Sequence, residues 1–415
     1  MVIRETKPVI FLFTFPLQGH LNPNFQLANI LFKRGFSITV IHTEFNAPNP
    51  SNFPHFTFVS IPDGLSESEA SNPDVIELLH DLNSKCVAPF GDCLKKLLSQ
   101  EPTAACVIVD ALWYFTDGLT EKFESQADLP VPELPHLRMK DLPWFQTDDP
   151  RSGDKLKKGV LKSLKSSSGI IFNAVEDLEA EQLKQSLKEF PVPHFCIGPF
   201  HKHVSLSSSS LLTQDMTCLA WLDKQELNSV IYVSLGSIAS IDESEFLEIA
   251  WGLRNSNQPF LWVVRPGLIR GTQWIENLPK GFIESLDGKG KIVKWAPQIE
   301  VLAHRATGGF LTHCGWNSTI ESICEGVPLI CKPSFGDQRV NARYISDVWR
   351  IGLHLENEIE RVEIERAVRT LMKSSEGEEI GKRIMPMRET AEKCLEPGGS
   401  SFMNLEKLIA HILSF

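Results

Sequence analysis

WAPQIEVLAHRATGGFLTHCGWNSTIESICEGVPLICKPSFGDQ, Trp295 to Gln338, decides how this chain is read. At its centre Gly308 to Thr312 is a short apolar run closed by His313. A turn at Gly315-Trp316-Asn317-Ser318 opens a helix over Thr319 to Cys324, and Pro328 to Cys331 is apolar again. Strand, glycine turn, helix and strand in that order predict a βαβ unit, the element of a parallel sheet.

Working outward, the same alternation recurs. Ser229 to Ser234 reads as a strand, Glu243 to Asn255 as a helix, and Phe260 to Val264 and Lys291 to Lys294 as two more strands. Ile359 onward is charged and helical, Gly398-Gly399-Ser400 breaks it, and Ser401 to Leu413 is a last amphipathic helix. At the other end Pro8 to Phe15 is a continuous apolar run, as a strand buried on both faces requires. A turn at Gln18-Gly19-His20 leads into a helix over Asn22 to Lys33, with strands at Ser37 to His42, Phe56 to Ile61 and Ala104 to Asp110. Helices are expected around Asp74 to Ser99, at Leu156 to Lys165 and from Glu176, with a strand at Gly169 to Asn173. Between Thr116 and Asp149 the prolines at 130, 132, 135 and 143 interrupt the pattern, and no clean strand is expected. Ser205 and Ser207 to Ser210 mark a linker. The expected architecture is α/β: two Rossmann-like domains, 1–202 and 218–395, joined by a linker at 203–217, with a C-terminal helix at 396–415 that packs back toward the first domain.

The 415 residues suffice for two domains of roughly 200 residues each. A net charge of −11 argues against a nucleic-acid partner, which needs a basic footprint. Nine scattered cysteines without a Cys-x-x-Cys pair read as reduced, mostly buried thiols of a cytoplasmic protein. His201-Lys202-His203 has no third ligand in view and reads as an exposed loop rather than a metal site. No apolar run approaches the ~18–20 residues that span a bilayer, so no membrane insertion is expected.

Polar residues stand at the carboxyl ends of several strands, where open α/β sheets bind ligands. His20 follows the first strand, Asp110 closes the fourth, Ser237 follows Ser229–Ser234, and His313 closes the run before the glycine turn. Together they point to a single cleft between two facing sheets. The helix opened by Gly315 to Ser318 offers free N–H groups and a dipole to an anion such as a diphosphate. Glu321, one turn in, is placed to bind ribose hydroxyls; alternatively Ser318 and Glu321 form a capping box, Ser-x-x-Glu. Trp295 is either a core indole or, set at a strand end by Pro297, a ring for stacking a base. His20 and Asp110 alone would read as a helix-start histidine and a strand-end cap. As a pair they supply a base and the carboxylate that orients it.

The 44 residues from Trp295 to Gln338 resemble the signature box of plant family 1 UDP-glycosyltransferases, which have the GT-B fold. PLQGHLNP near the N-terminus, FLWVVRP and GGSS extend the resemblance over nearly the whole chain. HTEFNAPNPSNFPHFTF is similar to the subgroup of cytokinin and steviol-glycoside glucosyltransferases. The resemblance implies that Trp295, Ala296 and Gln298 hold uracil and Glu321 the ribose. Ser237, His313, Asn317 and Ser318 contact the diphosphate beside Gly315, and Trp316, Asp337 and Gln338 contact the sugar. Trp316 and Gln338 are the family's usual choice for glucose. His20 is then the general base and Asp110 its partner, in an inverting, metal-independent transfer of glucose from UDP-glucose to a small lipophilic acceptor by a monomeric enzyme. UDP-glucose is a co-substrate, and no cofactor is implied; no Asp-x-Asp motif occurs.

One stretch departs from the family. Members carry a further strand and helix after the Asp-bearing strand. Here the sequence passes from Phe123 almost at once to Leu129-Pro-Val-Pro-Glu-Leu-Pro. An apparent deletion of several tens of residues removes an inner strand and part of the acceptor wall. A second expectation follows, a homologue that binds UDP-sugar but transfers it poorly.

Overall fold

The computed structural model describes residues 7–71, 74–114, 130–131, 134–138, 150–203, 210–356 and 359–415. The chain divides into two compact units. The first takes Met1–Phe123, Phe145–Leu211 and Lys393–Phe415; the second takes Glu124–Trp144 and Leu212–Glu392.

In the first unit β1 (Val9–Phe13), β2 (Ser37–Thr43), β3 (Thr57–Ile61) and β4 (Ala104–Val109) form a parallel sheet in the order β3-β2-β1-β4. Period-2 alternation sends β1 side chains to opposite faces. Ile10 and Leu12 join one core with Leu21, Phe25 and Ala28 of the Gln18–Lys33 helix. Val9, Phe11 and Phe13 join another with Ile76, Leu79 and Leu82 of the Val75–Lys85 helix. Both faces are covered, which is why β1 is apolar at every position. The Ser400–Ile412 helix contributes Leu405, Leu408 and Ile412 to the first of these cores, and Ser401 donates a hydrogen bond to the Gly198 carbonyl.

The Pro-rich stretch is not without strands. Among the described residues β5 (Pro130–Val131) and β6 (Leu134–Arg138) pair antiparallel, Val131 opposite Leu134. Prolines fit such a two-stranded pairing because each strand has an edge that makes no ladder bond. The position after Phe123 where a deletion is expected lies outside the described residues. Beyond it β7 (Ile170–Phe172) and β8 (His194–Cys196) make a separate parallel pair.

The second unit holds six parallel strands: β9 (Val230–Ser234), β10 (Phe260–Val263), β11 (Gly290–Val293), β12 (Thr307–Thr312), β13 (Leu329–Cys331) and β14 (Gly352–His354). Their order is β11-β10-β9-β12-β13-β14. The chain winds outward from β9 in one direction and from β12 in the other. A topological switch point therefore lies between those two strands, as it does between β1 and β4 in the first unit. The loops that leave these strands carry most of the polar residues singled out in the sequence.

His201-Lys202-His203 is not the exposed loop its composition suggests. It lies in a short helix, Phe200–His203, whose Phe200 enters the core, and His201 is buried with it. Burial pushes the His201 imidazole down to about 3, with Lys202 and His203 adding to the effect. The nine cysteines are free thiols, all buried except the half-buried Cys93 and Cys106.

Candidate active site

In the first unit the β1 turn delivers His20 to the first turn of the Gln18–Lys33 helix, and the adjacent β4 ends at Asp110. His20 Nδ1 lies 3.0 Å from Asp110 Oδ2 and 3.2 Å from Oδ1. Asp110 Oδ1 also accepts from the Leu112 backbone N–H at 3.0 Å, and Oδ2 from Asn24 Nδ2 at 2.8 Å. Burial by itself would raise the Asp110 carboxyl; the His20 charge and these hydrogen bonds outweigh it and hold the group below the usual carboxylate range. A carboxylate so fixed keeps the proton on Nδ1 and leaves Nε2 as the hydrogen-bond acceptor. The His20 side chain keeps 35% of its surface exposed against 8% for Asp110, so the imidazole is partly open to solvent and its partner is enclosed. Phe15 packs edge-on against the imidazole at 5.8 Å and meets Trp113 at 4.7 Å.

Asn24 was not singled out in the sequence. It sits one helical turn after His20, and its amide also donates to the His20 carbonyl at 2.8 Å. An i,i+4 polar partner on the same helix face was the available signal.

In the second unit His313 leaves β12 and Ser237 follows β9. The imidazole is half-buried between two glycines. A Cβ on Gly236 would fall 2.5 Å from His313 Nε2, and one on Gly315 would fall 2.6 Å from it. Gly236 also has φ +78, which other residues adopt at a cost. Burial, with Arg265 and Lys332 nearby, pushes the His313 imidazole down to about 4, so it meets an anion as a neutral N–H donor. Its Nδ1 is sealed from solvent, and the Ser234 backbone bears on the ring and favours its charged form, without offsetting burial.

The helix after His313 runs Trp316–Glu325 with Gly315 as its N-cap and no side-chain cap. The capping-box alternative for Ser318 and Glu321 therefore fails. Ser318 lies inside the first turn rather than before it, and its buried hydroxyl accepts instead from Gln298 Nε2 at 3.0 Å. The same Gln298 nitrogen donates to Glu321 Oε2 at 2.8 Å, and Tyr232 donates to Gln298 Oε1 at 3.3 Å. The Gln298 side chain is thus engaged with Ser318 and Glu321. Burial, and then the negative charges of Glu300 and Glu325, outweigh the Gln298 bond and raise the Glu321 carboxyl to about 7. Trp295 is half-buried at the edge of the core that holds Ala296, neither fully a core indole nor fully exposed.

Trp316 and Asn317, in the first turn of the helix, are half-buried. Asp337 is exposed and Gln338 buried, at the start of the Gln338–Arg343 helix. Gln338 Oε1 accepts from the Ser334 and Phe335 backbone at 2.8 and 3.1 Å, which closes that loop. Asn341, also missed in the sequence, donates to Asp337 Oδ2 at 2.8 Å and to the Cys314 carbonyl at 2.9 Å. It ties the Asp337 loop to the turn at Cys314, a non-glycine residue at φ 63. The structure thus brings His20 and Asp110 together in one unit, and Gln298, Ser318 and Glu321 together in the other. His313 and Gly315 meet there too, and Asn341 links their turn to Asp337.

Among the described residues no cluster of three or more His, Cys, Asp or Glu side chains could hold a metal, and no helix is long and apolar enough to cross a membrane.

A family model described as UDP-glucoronosyl and UDP-glucosyl transferase matches residues 181–387. UDP-glycosyltransferase 76B1 of Arabidopsis thaliana is 76% identical over 448 aligned positions, covering 100% of both chains. UDP-glycosyltransferase 76C1 of the same plant is 51% identical, covering 99% of this chain and 97% of that relative. The solved structure of Phytolacca americana UGT2, complexed with UDP-2-fluoro-glucose and pterostilbene, is 27% identical with a TM-score of 0.81. That match covers 98% of this chain and 99% of the other. With two Rossmann-like units, glycine-flanked loops at the switch point of the second and relatives of this identity over its full length, the chain belongs to the plant family 1 UDP-glycosyltransferases, enzymes of the GT-B fold that transfer a sugar from a UDP-sugar.

Proposed function

We propose that the chain transfers glucose from UDP-glucose to a hydroxyl, or to a nitrogen or carboxyl group, of a small lipophilic plant metabolite, giving a β-glucoside and UDP. The observation that carries this reading is the His20–Asp110 pair at 3.0 Å, with the His20 side chain 35% exposed. His20 Nε2 takes the acceptor proton as the acceptor oxygen bonds to the anomeric carbon. The bond from that carbon to the diphosphate oxygen breaks, inverting the centre. The electron pair goes to UDP, whose charge is met by the helix N-terminus at Gly315, the His313 N–H and Ser237. Trp295, Ala296 and Gln298 hold the uracil, Glu321 the ribose, Asn317 and Ser318 the phosphates, and Trp316, Asp337 and Gln338 the glucose. The choice of glucose is supported by Trp316 and Gln338 and by the sugar carried in the Phytolacca americana complex; the pterostilbene there is a small lipophilic phenol. No metal enters the scheme.

A second reading, UDP-sugar binding with poor transfer, is favoured by a separate observation. β4 is an apolar run of the kind an inner parallel strand shows, yet its residues are half-exposed and Val109 is 40% exposed. Among the described strands β4 pairs with β1 alone, and β7 pairs with β8 in a sheet of its own. The 448 positions aligned with the 76%-identical relative exceed the 415 residues here, so at least 33 of them (448 minus 415) face no residue of this chain. A strand lost from between β4 and β7 accounts for all three facts.

The test is UDP release from UDP-glucose with a panel of flavonols, terpenoid acids and cytokinins. Turnover that His20→Ala abolishes while UDP still binds supports transfer; saturable UDP binding without turnover on any acceptor supports the second reading.

A further inference from the structure

Arg265 follows β10 and is buried, 8% exposed. Its guanidinium makes no ion pair with a described carboxylate. Among the described residues every hydrogen bond it makes goes to a backbone carbonyl: Nε to Gly236 at 3.2 Å, Nη1 to Pro266 at 3.2 Å and Nη2 to Ala239. A buried cation answered only by carbonyl dipoles is incompletely compensated. By contrast Lys332, the other cation that bears on His313, is ion-paired to Glu245.

The three acceptors are not scattered. Gly236 and Ala239 bracket Ser237, and Gly236 is the residue whose α-carbon lies against the His313 imidazole. The fork of Arg265 therefore ties both ends of the stretch that offers Ser237. It fixes the positive-φ turn that lets His313 approach. Bracing the loop needs N–H donors but no net charge, and burial penalises that charge. The charge has a use if an anion arrives on the other face of the loop.

We propose that Arg265 is a positioning residue of the donor site. It clamps the Gly236–Ala239 turn and supplies the uncompensated positive charge behind Ser237 and His313 that a nucleoside diphosphate completes. This rests on the reading of the second unit as a UDP-sugar site. It deepens that reading by naming how a diphosphate is neutralised where the phosphate-facing imidazole is itself held neutral.

The test compares affinity for UDP and for uridine in the full chain, wild type against Arg265→Met, Arg265→Gln and Arg265→Lys. Uridine reports the base and ribose contacts, so the UDP-to-uridine affinity ratio cancels any general loosening of the site. The ratio is expected to fall about 10- to 100-fold in Arg265→Met and Arg265→Gln, and by less than about threefold in Arg265→Lys, which keeps the charge. A ratio unchanged in both neutral variants, with uridine and UDP affinity falling together, overturns the proposal and leaves Arg265 a structural residue. Should Arg265→Met fail to fold, Arg265→Gln against Arg265→Lys decides the same question. Wild-type protein that does not bind UDP would overturn the donor-site reading as well; wild-type binding with an unaltered ratio overturns the role of Arg265 alone.

Discussion

Donor binding should strengthen as pH rises from 6 to 8, and the reason is Glu321. Its carboxyl is raised to about 7 by burial and by neighbouring acids, so in the free protein it is mostly protonated at pH 6 and mostly ionised at pH 8. If the ribose hydroxyls donate to it, binding favours the ionised form and releases the proton. For a site that binds only when ionised, the apparent dissociation constant is the intrinsic one multiplied by 1 + 10^(pKa − pH). With a pKa near 7 that factor drops from roughly 11 at pH 6 to roughly 1.1 at pH 8, a gain of about tenfold or about 1.4 kcal/mol. UDP-glucose is the right probe because its diphosphate diester does not titrate in this range. His313, near 4, is neutral throughout it. Isothermal titration of UDP-glucose across pH 6 to 8 should show this rise, with proton release measurable in buffers of different ionisation enthalpy. Glu321→Gln should flatten the profile. An affinity that falls with pH would mean that the protonated acid donates to the ribose, and a flat wild-type profile would mean that Glu321 takes no part; either refutes the reasoning. Stability carries the opposite sign. A carboxyl raised in the folded state binds a proton the unfolded chain has lost, so its contribution declines as pH rises from about 4.5 to about 7 and is level above. Denaturant titrations should show that decline, and Glu321→Gln should lack it.

Other consequences concern single side chains. His20→Ala should lower kcat by about 10²- to 10⁴-fold and leave UDP affinity within about threefold, measured by UDP release and by titration. Asp110→Asn should lower kcat by a similar factor. Both carboxylate oxygens already accept from a fixed donor, Leu112 N–H and Asn24 Nδ2, so an amide must set one NH₂ against another donor or force the wrong imidazole tautomer. Asn24→Ala, removing one of those donors, should cost kcat less, about tenfold, with the pH–rate profile displaced. Gly236→Ala should weaken UDP binding while uridine binding changes little: its Cβ would meet His313 at 2.5 Å, and its positive φ adds about 1–2 kcal/mol of strain.

What the sequence made legible follows the physics of each residue. Continuous apolar runs such as Val9–Phe13 and Val230–Ser234 announce parallel strands because both faces of each strand are covered. β8 and β14 went unnoticed because three residues beside prolines or a glycine carry too little periodicity to read. The Pro130–Arg138 pairing was hidden by its own prolines. Candidate site residues at strand ends were visible because topology places them there, but their supports were not. Asn24, Asn341 and Arg265 act through hydrogen bonds to backbone or to another functional side chain, and spacing alone does not reveal such partners. His201 was misread for a related reason: the polar Ser-rich neighbourhood outweighed Phe200, which draws the segment into the core. The capping box matched as a pattern and failed in register, since the helix begins at Trp316 rather than after Ser318.

The claim on which the account rests is that this chain moves glucose with inversion. The direct measurement is the anomeric proton of the product formed from UDP-α-glucose and a reactive phenolic or acidic acceptor, read by NMR together with UDP released per glucoside. Inverting transfer gives a β-glucoside with the large coupling of a diaxial pair, one UDP per glucoside, and product formed about 10²- to 10⁴-fold more slowly by His20→Ala. An α-glucoside, or UDP-glucose that binds saturably and is never turned over on any acceptor, would contradict it.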